Sequence, residues 1–165
     1  MAILERDDLD GIATLTLNMP EKLNALSDGM LVAMQDALDT IADDPSVRVV
    51  IIRGAGKAFC AGHDLREMQT KRANADAGEV ALKGLFDRCA LMMQRIQSIP
   101  QPVIAQVHGV AVAAGCQLVA TCDLAIAADD TRFGVNGVNI GLFCSTPMVA
   151  LTRNVSRKAA FEMLT

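Results

Sequence analysis

Aromatic and basic residues are scarce in this sequence. Its 165 residues include no tryptophan, no tyrosine and five phenylalanines, and 15 Lys and Arg stand against 19 Asp and Glu, for a net charge of -4. Proteins that bind nucleic acids neutralise phosphates with basic residues and often stack bases on aromatic rings. These two shortages argue against nucleic acid as a partner.

Long apolar runs are also absent. A membrane-spanning helix needs about 20 consecutive apolar residues. The most apolar stretch, residues 103–128, is interrupted by polar side chains at Gln106, His108, Gln117 and Asp123. We expect this stretch to form buried core, with no part of the chain in a membrane.

Neither a targeting segment nor a cysteine pattern marks the chain for export. The first eight residues include Glu5, Asp7 and Asp8, whereas transit peptides are rich in Arg and poor in acids, and secretory signals have an apolar centre. The five cysteines, an odd number, contain no Cys-x-x-Cys pair, so neither a disulfide framework nor a zinc site is expected. We therefore predict a cytoplasmic protein with reduced cysteines and no bound metal.

The residues that are abundant predict a mixed α/β domain. Apolar residues make up 52% of a chain whose length suits a single domain. Alternating segments around Asp10-Gly11 predict a hairpin within residues 3–17. Apolar residues at helical spacing after Ser27, followed by the β-branched segment 47–52, predict a βαβ crossover.

The second half of the chain continues this alternation. The spacing predicts a long helix from Leu82 to Ile96 and a short one at 116–121, with buried strands at 103–107 and 124–127. Two segments carry weaker patterns. Residues 66–79 are charged and predict a loop or a weak helix, and residues 136–147 predict a loop.

The sequence ends within a helical pattern. Ser156 is a good N-cap for a helix that carries Ala160, Phe161 and Leu164, yet Thr165 follows after about two turns without a capping glycine. We therefore expect residues 1–165 to be the N-terminal part of one domain whose closing part is missing. Some of the apolar surface would then be covered by residues outside the sequence.

Two glycine-bearing turns are the first candidates for chemistry. Residues 61–64 and 113–116 each follow a strand and precede a helix, the place where ligands bind in α/β folds. Two backbone N–H groups that converge there would form an oxyanion hole. The alternative is that the small residues serve only close packing, and composition alone leaves both interpretations open.

Five segments occur in the order and at the spacing of a known family. They are Pro20-Glu-Lys-Leu-Asn-Ala-Leu26, Ala58-Phe-Cys-Ala-Gly-His-Asp-Leu65, Pro102-Val-Ile-Ala-Gln-Val-His-Gly109, Ala114-Gly-Cys-Gln-Leu-Val-Ala-Thr-Cys-Asp123 and Phe133-Gly134. These segments resemble the enoyl-CoA hydratase/isomerase (crotonase) superfamily. One branch is most similar, because it combines Gly-His-Asp-Leu with Gly-Leu-Phe-Cys-Ser-Thr-Pro, which runs from Gly141 to Pro147 here.

The resemblance implies a fold and a chemistry. The fold is a spiral of ββα units with C-terminal helices that this sequence lacks, assembled as a homotrimer or hexamer. The ligand is an acyl-CoA thioester of fatty-acid metabolism, so that CoA enters as part of the substrate and no separate cofactor is needed. By position, the thioester oxygen would accept hydrogen bonds from the backbone N–H groups of His63 and Ala114.

The same resemblance places the coenzyme along seven residues. The adenine and pantetheine would lie against Leu23, Ala25, Ala61, Asp64 and Leu65. The phosphates would lie near the cationic side chains of Lys22 and Arg66.

Two departures from the family pattern bear on activity. Hydratases carry glutamates at the positions that Gln117 and Gly137 occupy here, and those carboxylates activate water. Neither residue can take a proton, so we expect enolate stabilisation without ordinary hydration, as in double-bond isomerisation or thioester cleavage. The alternative is a non-catalytic acyl-CoA-binding protein.

Two other side chains could act as acids or bases. The His63 side chain starts at the first turn, and histidine ordinarily has a pKa near neutrality. A role in packing or in a coenzyme contact would also explain a histidine at this position. Asp64 could serve as a base or could cap the helix that follows.

Overall fold

A computed structural model describes residues 2–165, without the side chains of residues 136 and 140. The described residues form seven strands: β1 Leu4–Leu9, β2 Ile12–Leu17, β3 Val49–Gly54, β4 Val103–Val107, β5 Val110–Val112, β6 Leu124–Ala127 and β7 Arg132–Gly134. They form six α-helices: α1 Asp28–Ala42, α2 Leu65–Arg72, α3 Glu79–Ser98, α4 Ala114–Thr121, α5 Ser145–Asn154 and α6 Arg157–Leu164. Short 3-10 helices occupy Pro20–Lys22 and Asn136–Ile140.

The predicted hairpin and crossover are both present. Asp10 and Gly11 have φ values of 52° and 80°, which suit a two-residue hairpin turn, and β1 pairs antiparallel with β2. The Ser27 side chain accepts a hydrogen bond from Met30 N at 3.2 Å and so begins α1. β3 then pairs parallel with β2, because α1 carries the chain back across the sheet.

One five-stranded sheet holds the core. Its strand order is β1-β2-β3-β4-β6. Helices α1 and α3 pack on one another and contribute buried apolar side chains to this core: Met30, Leu31, Met34, Leu38 and Ile41 from α1, and Leu85, Cys89, Met92, Met93 and Ile96 from α3. The helix predicted at 82–96 is thus confirmed and is longer at both ends.

A second layer of short parallel pairings is built on the ends of the main strands. Leu26 pairs with His63, Cys60 pairs with Ala111, and β5 pairs with β7. The main strands β2, β3, β4 and β6 are each followed by a short second-layer segment and then by a helix, which is a ββα unit. Because these short strands run parallel, the turns that follow them lie side by side at one end of the layer.

The two weakly patterned segments are both partly helical, which agrees with one alternative for residues 66–79 and corrects the loop predicted at 136–147. Residues 65–72 form α2, because the Asp64 side chain accepts hydrogen bonds from the first N–H groups and Lys71 and Arg72 occupy the last turn. Within 136–147, residues 136–140 form a 3-10 helix and α5 begins at Ser145. Such short helices carry too few turns to show an apolar period in sequence.

The expectation that all of residues 103–128 would be buried was also wrong. β4 is mostly buried and α4 contributes six buried residues, but β6 is exposed along its whole length. Its Leu124 and Ile126 side chains are 61% and 66% exposed. Among residues 2–165 no helix combines the length and the apolar character required to cross a membrane.

Candidate active site

A cavity of about 300 Å³ lies where the 3-10 helix at Pro20–Lys22 meets the turn before α2. It is lined by Glu21, Lys22, Leu23, Ala25, Ala61, His63, Asp64, Leu65 and Arg66. The structure therefore brings together all seven residues predicted to hold the coenzyme, and we call this space the Lys22–Arg66 cavity. A larger apolar cavity of about 380 Å³ beside β6 includes none of the predicted site residues.

Asn24 fixes the backbone that forms one wall of this cavity. It is fully buried with φ of 54°, next to Leu23 with φ of 52°. Its side-chain amide donates to the carbonyl oxygens of Ala55 and Ala58 at 2.9 and 2.8 Å, and its Oδ1 accepts from Met19 N at 2.9 Å. One signal for this role is visible in the sequence, since Asn tolerates the left-handed region better than most residues.

Asp64 caps α2 from within the cavity wall. Its Oδ1 accepts hydrogen bonds from Arg66 N at 3.0 Å and Glu67 N at 3.1 Å, and Lys22 Nζ lies 3.4 Å from Oδ2. Burial opposes the charged form, but the Glu67 N–H, Lys22 and the Arg66 N–H outweigh it and lower the pKa of Asp64. Asp64 is thus a capping carboxylate, a poor proton acceptor at neutral pH.

The two glycine-bearing turns contact one another through their backbones. Gly62 has φ of 90°, and a Cβ placed on it would lie 3.2 Å from Ala114 N and 3.0 Å from the Ala113 Cβ. A Cβ on Gly115 would overlap the Cys60 carbonyl. Only glycine permits this approach, and the approach makes neighbours of the two turns that carry the candidate N–H groups.

Those N–H groups belong to His63 and Ala114. Within residues 2–165 neither of them donates to a backbone or side-chain acceptor, whereas the neighbouring Leu26 N and Ala113 N donate to Gly62 O at 2.7 Å and to Gly134 O at 2.9 Å. Ala114 also opens α4, whose first-turn N–H groups favour negative charge. The arrangement can therefore hold an anionic oxygen.

The residue before Ala114 is held in an unfavourable conformation. Ala113 has φ of 50° and ψ of -124°, a region that residues with a Cβ rarely occupy. It is fixed there by the Ala113 N hydrogen bond to Gly134 O and by Gln117 N donating to Ala113 O at 3.0 Å. Strained backbone of this kind is concentrated at functional sites.

The His63 side chain is partly buried and lines the cavity. Its Nδ1 lies 3.3 Å from the Leu26 carbonyl oxygen, and its ring meets the Phe86 ring edge-on, with centroids 5.4 Å apart. Burial lowers the pKa of His63, outweighing the Leu26 carbonyl and the carboxylates of Asp28 and Glu67. The imidazole is therefore neutral at neutral pH.

A cluster of four charged residues joins the three helices behind His63. The Asp28 carboxylate of α1 forms salt bridges with Lys71 Nζ of α2 at 2.5 Å and with Arg88 Nη2 of α3 at 2.5 Å. Lys71 also lies 2.7 Å from Glu67 Oε1. Each carboxylate of this cluster is thus paired with a cation.

Gln117 and Gly137, predicted at the positions of the hydratase glutamates, differ in their surroundings. Gln117 is 8% exposed, and among the described residues no donor reaches its buried Oε1. A Cβ on Gly137 would overlap Cys144 Sγ and lie 2.6 Å from the Leu142 carbonyl oxygen. Gln117 therefore has an unused acceptor, and position 137 has no room for a side chain.

Four of the five cysteines are buried, and Cys144 is half-buried. All five are free, and burial raises the pKa of Cys60 to about 12. Within the described part of the chain, no group of three His, Cys, Asp or Glu residues is placed to hold a metal ion.

Comparison with known proteins links this geometry to a family. Residues 7–165 match the family described as Enoyl-CoA hydratase/isomerase. The chain is 49% identical over 154 residues to "Enoyl-CoA hydratase domain-containing protein 3, mitochondrial" of Xenopus laevis, covering 93% of this chain and 51% of that protein. It thus spans about half the length of the curated relatives that it matches.

Solved structures agree with the fold. A crystal structure of enoyl-CoA hydratase from Mycobacterium smegmatis is 58% identical with a TM-score of 0.91, covering 98% of this chain and 62% of that one. Human enoyl-CoA hydratase domain-containing protein 3 is 44% identical with a TM-score of 0.90 and the same coverage. The predicted α/β fold of ββα units is confirmed, as is the resemblance to the domain-containing protein 3 branch.

The predicted cytoplasmic location is wrong. The Xenopus laevis, Danio rerio and human relatives are all named as mitochondrial proteins. The acidic residues on which the prediction depended belong to β1, where Arg6 binds Asp8 at 2.6 Å on an exposed face. Their charge reflects the surface of a folded sheet and says nothing about targeting.

Proposed function

Since this chain belongs to the enoyl-CoA hydratase/isomerase family, we propose that it binds an acyl-CoA thioester and stabilises the thioester enolate between the N–H groups of His63 and Ala114. The observation that carries this proposal is the pair of N–H groups without acceptors, held at two turns whose backbones touch. Fixed donors of this kind stabilise the charge that develops on an oxygen. In well-studied enzymes, losing one donor costs about 3 kcal/mol.

The Lys22–Arg66 cavity is the proposed coenzyme site. Its walls combine the apolar side chains of Leu23, Ala25 and Leu65 with two cations, Lys22 and Arg66. Apolar walls suit the adenine and pantetheine, and cations suit phosphates. Because His63 lies in the same wall, a thioester attached to a coenzyme in the cavity would be close to the His63 N–H.

Hydration is not part of the proposal. Adding water to an enoyl thioester requires a group that takes a proton from water, and neither Gln117 nor Gly137 has one. Asp64, a buried carboxylate in the cavity wall, is held by Arg66 N, Glu67 N and Lys22. The proposed reaction class is proton movement at the carbon next to the thioester.

A second candidate is an acyl-CoA-binding protein without catalysis. The observation in its favour is the neutral amide at Gln117 together with the closed space at Gly137. Both candidates share the coenzyme cavity. They differ in whether the two N–H groups stabilise an enolate that forms on the thioester or only hold the thioester oxygen of an unreacting ligand.

Three measurements on the purified chain test the proposal. Calorimetric titration with butyryl-CoA measures binding, with free CoA as the control for the contribution of the thioester. Proton NMR in D₂O follows exchange of the butyryl C2 protons, and loss of the enoyl absorbance of crotonyl-CoA follows hydration. We expect butyryl-CoA to bind and its C2 protons to exchange. Crotonyl-CoA should be hydrated no faster than in buffer without the protein.

The outcomes separate the candidates. Binding without exchange would favour the non-catalytic protein. Rapid hydration would show that a group other than residues 117 and 137 activates water. If neither butyryl-CoA nor crotonyl-CoA binds, the assignment of the cavity fails altogether.

A further inference from the structure

The Lys22–Arg66 cavity contains one side chain suited to moving a proton near neutral pH. Its other ionisable residues are Glu21, Lys22, Asp64 and Arg66. Glu21 is exposed to solvent, Asp64 is held by hydrogen bonds, and Lys22 and Arg66 are cations at this pH. His63 is the remaining candidate among these lining residues.

Its hydrogen bond to Leu26 fixes which ring nitrogen is free. A carbonyl oxygen only accepts hydrogen bonds, so the Nδ1 that lies 3.3 Å from Leu26 O must carry the proton. Nε2 of the neutral ring then has an unshared electron pair. Among the described residues no donor binds Nε2, and the edge-on Phe86 ring restricts rotation of the imidazole.

Burial keeps the imidazole neutral, although the nearby carboxylates of Asp28 and Glu67 favour its charged form. Asp28 of α1, Glu67 and Lys71 of α2, and Arg88 of α3 face it from the three helices packed behind the turn, and they form ion pairs with one another. Lys22 and Asp64 form the pair on the cavity side. The neutral imidazole can therefore accept a proton, at the cost of placing a positive charge in a partly buried site.

From this geometry we propose that His63 is also the base, taking a proton from the α-carbon of the bound acyl-CoA while its own N–H holds the thioester oxygen. The inference depends on the proposed function. One residue then serves both ends of the enolate. His63 lines the same cavity as the residues proposed to hold the coenzyme.

The step balances without a further reactant. The Nε2 electron pair forms a bond to the α-proton, and the electrons of the broken C–H bond become the C=C bond of the enolate. The carbonyl π electrons move to the oxygen between His63 N and Ala114 N. The reverse step returns a proton from the imidazolium, which in D₂O has exchanged, so the net result is deuterium at the α-carbon.

The test compares the C2-proton exchange of butyryl-CoA in wild type, His63→Gln and His108→Gln. His63→Gln keeps the backbone N–H and removes the base, so we expect exchange to fall about 100-fold or more while butyryl-CoA affinity stays within a few-fold. His108, the other histidine, contacts Gly56 O at 2.8 Å and does not line the cavity. His108→Gln should therefore exchange as wild type does.

A pH profile separates a base from a merely structural residue. Wild-type exchange should rise with pH and level off above the pKa of the free imidazole, because only the neutral ring has an available Nε2 pair. NMR titration of the histidine ring protons, assigned with His108→Gln, gives that pKa in the wild-type protein, so the test stands even where His63→Gln fails to fold. The proposal is supported if the midpoint of the exchange-rate profile equals the midpoint of the His63 NMR titration.

The failures are distinguishable. Undiminished exchange in His63→Gln, or a wild-type midpoint unrelated to the His63 titration, would overturn the role of His63 and leave the enolate site intact. Butyryl-CoA binding without exchange in wild type would overturn both the enolate function and this inference. Absence of binding would reject the coenzyme cavity itself.

Discussion

The positive charge of the Lys22–Arg66 cavity resides in two exposed side chains. Lys22 is 51% exposed and lies 3.4 Å from Asp64, and Arg66 is also exposed. Exposed ion pairs contribute about 0.2–1 kcal/mol each, and salt screens them. The two residues are therefore suited to attract a phosphorylated coenzyme without determining the position of the thioester.

Replacing these cations should weaken coenzyme binding. We expect Lys22→Gln and Arg66→Gln each to lower butyryl-CoA affinity about 2- to 5-fold at low salt, with a smaller effect at high salt. Calorimetry at two salt concentrations measures both effects. Lys83→Gln is the matched control, because it removes a cation paired with Asp87 on an exposed face of α3. An equal loss in the control would show that net charge alone is responsible.

Two glycines that are three residues apart should respond oppositely to a methyl group. A Cβ on Gly137 would meet Cys144 Sγ and the Leu142 carbonyl, whereas a Cβ on Gly134 meets nothing within 4 Å. We expect Gly137→Ala to cost about 1–3 kcal/mol of unfolding free energy, and Gly134→Ala to change it by less than about 0.5 kcal/mol. Urea unfolding measures both variants. Equal stability would show that the 137–144 loop yields to a side chain.

At the residue scale, sequence motifs predicted which residues line the same cavity. They did not predict the hydrogen-bond partners of those residues and their neighbours. The seven coenzyme-site residues line one cavity because the motif spacing corresponds to turns that the second layer sets side by side. The hydrogen bonds of the buried Asn24 side chain were not predicted, and neither was the Gln117 Oε1 that lacks a donor among the described residues. Both depend on contacts between distant segments, which residue type and spacing do not report.

Helix α2 is stabilised by its N-cap and by ion pairs. It buries none of its residues, and its first N–H groups donate to the Asp64 carboxylate. Its other support is the ion-pair cluster, in which Lys71 contacts Asp28. Removing the cap should therefore loosen the helix that forms one side of the cavity.

Asp64→Ala should destabilise the protein by about 1 kcal/mol at neutral pH, the usual cost of losing an N-cap. Because the folded protein lowers the pKa of Asp64, its charge stabilises the fold above the ordinary aspartate pKa and ceases to do so as the pH falls through the lowered value. The difference from wild type should then shrink in acid. Asp64→Asn keeps a capping oxygen, so it should lose less at neutral pH and vary little with pH. Denaturant unfolding at pH 7 and pH 3 checks each expectation.

The elements that sequence predicted best are those with long apolar periods. The hairpin, α1 and α3 all bury a regular face and so show their period in the sequence. The segment at 136–147 was missed, because its 3-10 helix and the start of α5 contain few residues, and among the residues of this segment whose burial is described only Gly137 and Pro147 are buried. Where capping and loop contacts decide the structure, hydrophobic spacing carries no signal.

The whole molecule exposes apolar surface at one edge of its sheet. The apolar fraction of 52% predicted a buried core, yet both faces of β6 are open to solvent, with Leu124 and Ile126 among the exposed side chains. β6 is also the last strand of the five-stranded sheet, and within residues 2–165 no strand pairs with its outer side. An apolar edge of this kind favours pairing with another chain.

We therefore predict that the chain self-associates through β6, in line with the homo-oligomer that the family resemblance implies. Sedimentation velocity should show a mass that rises with protein concentration, and Ile126→Lys should shift the distribution toward monomer because a charge on an apolar edge opposes pairing. Val80→Lys is the control, since Val80 is 76% exposed at the start of α3 and lies outside the sheet. A wild-type chain that stays monomeric at every concentration would contradict the prediction. Association unchanged by Ile126→Lys would move the contact away from β6, to apolar side chains such as Phe143 or Phe161, which are 54% and 69% exposed.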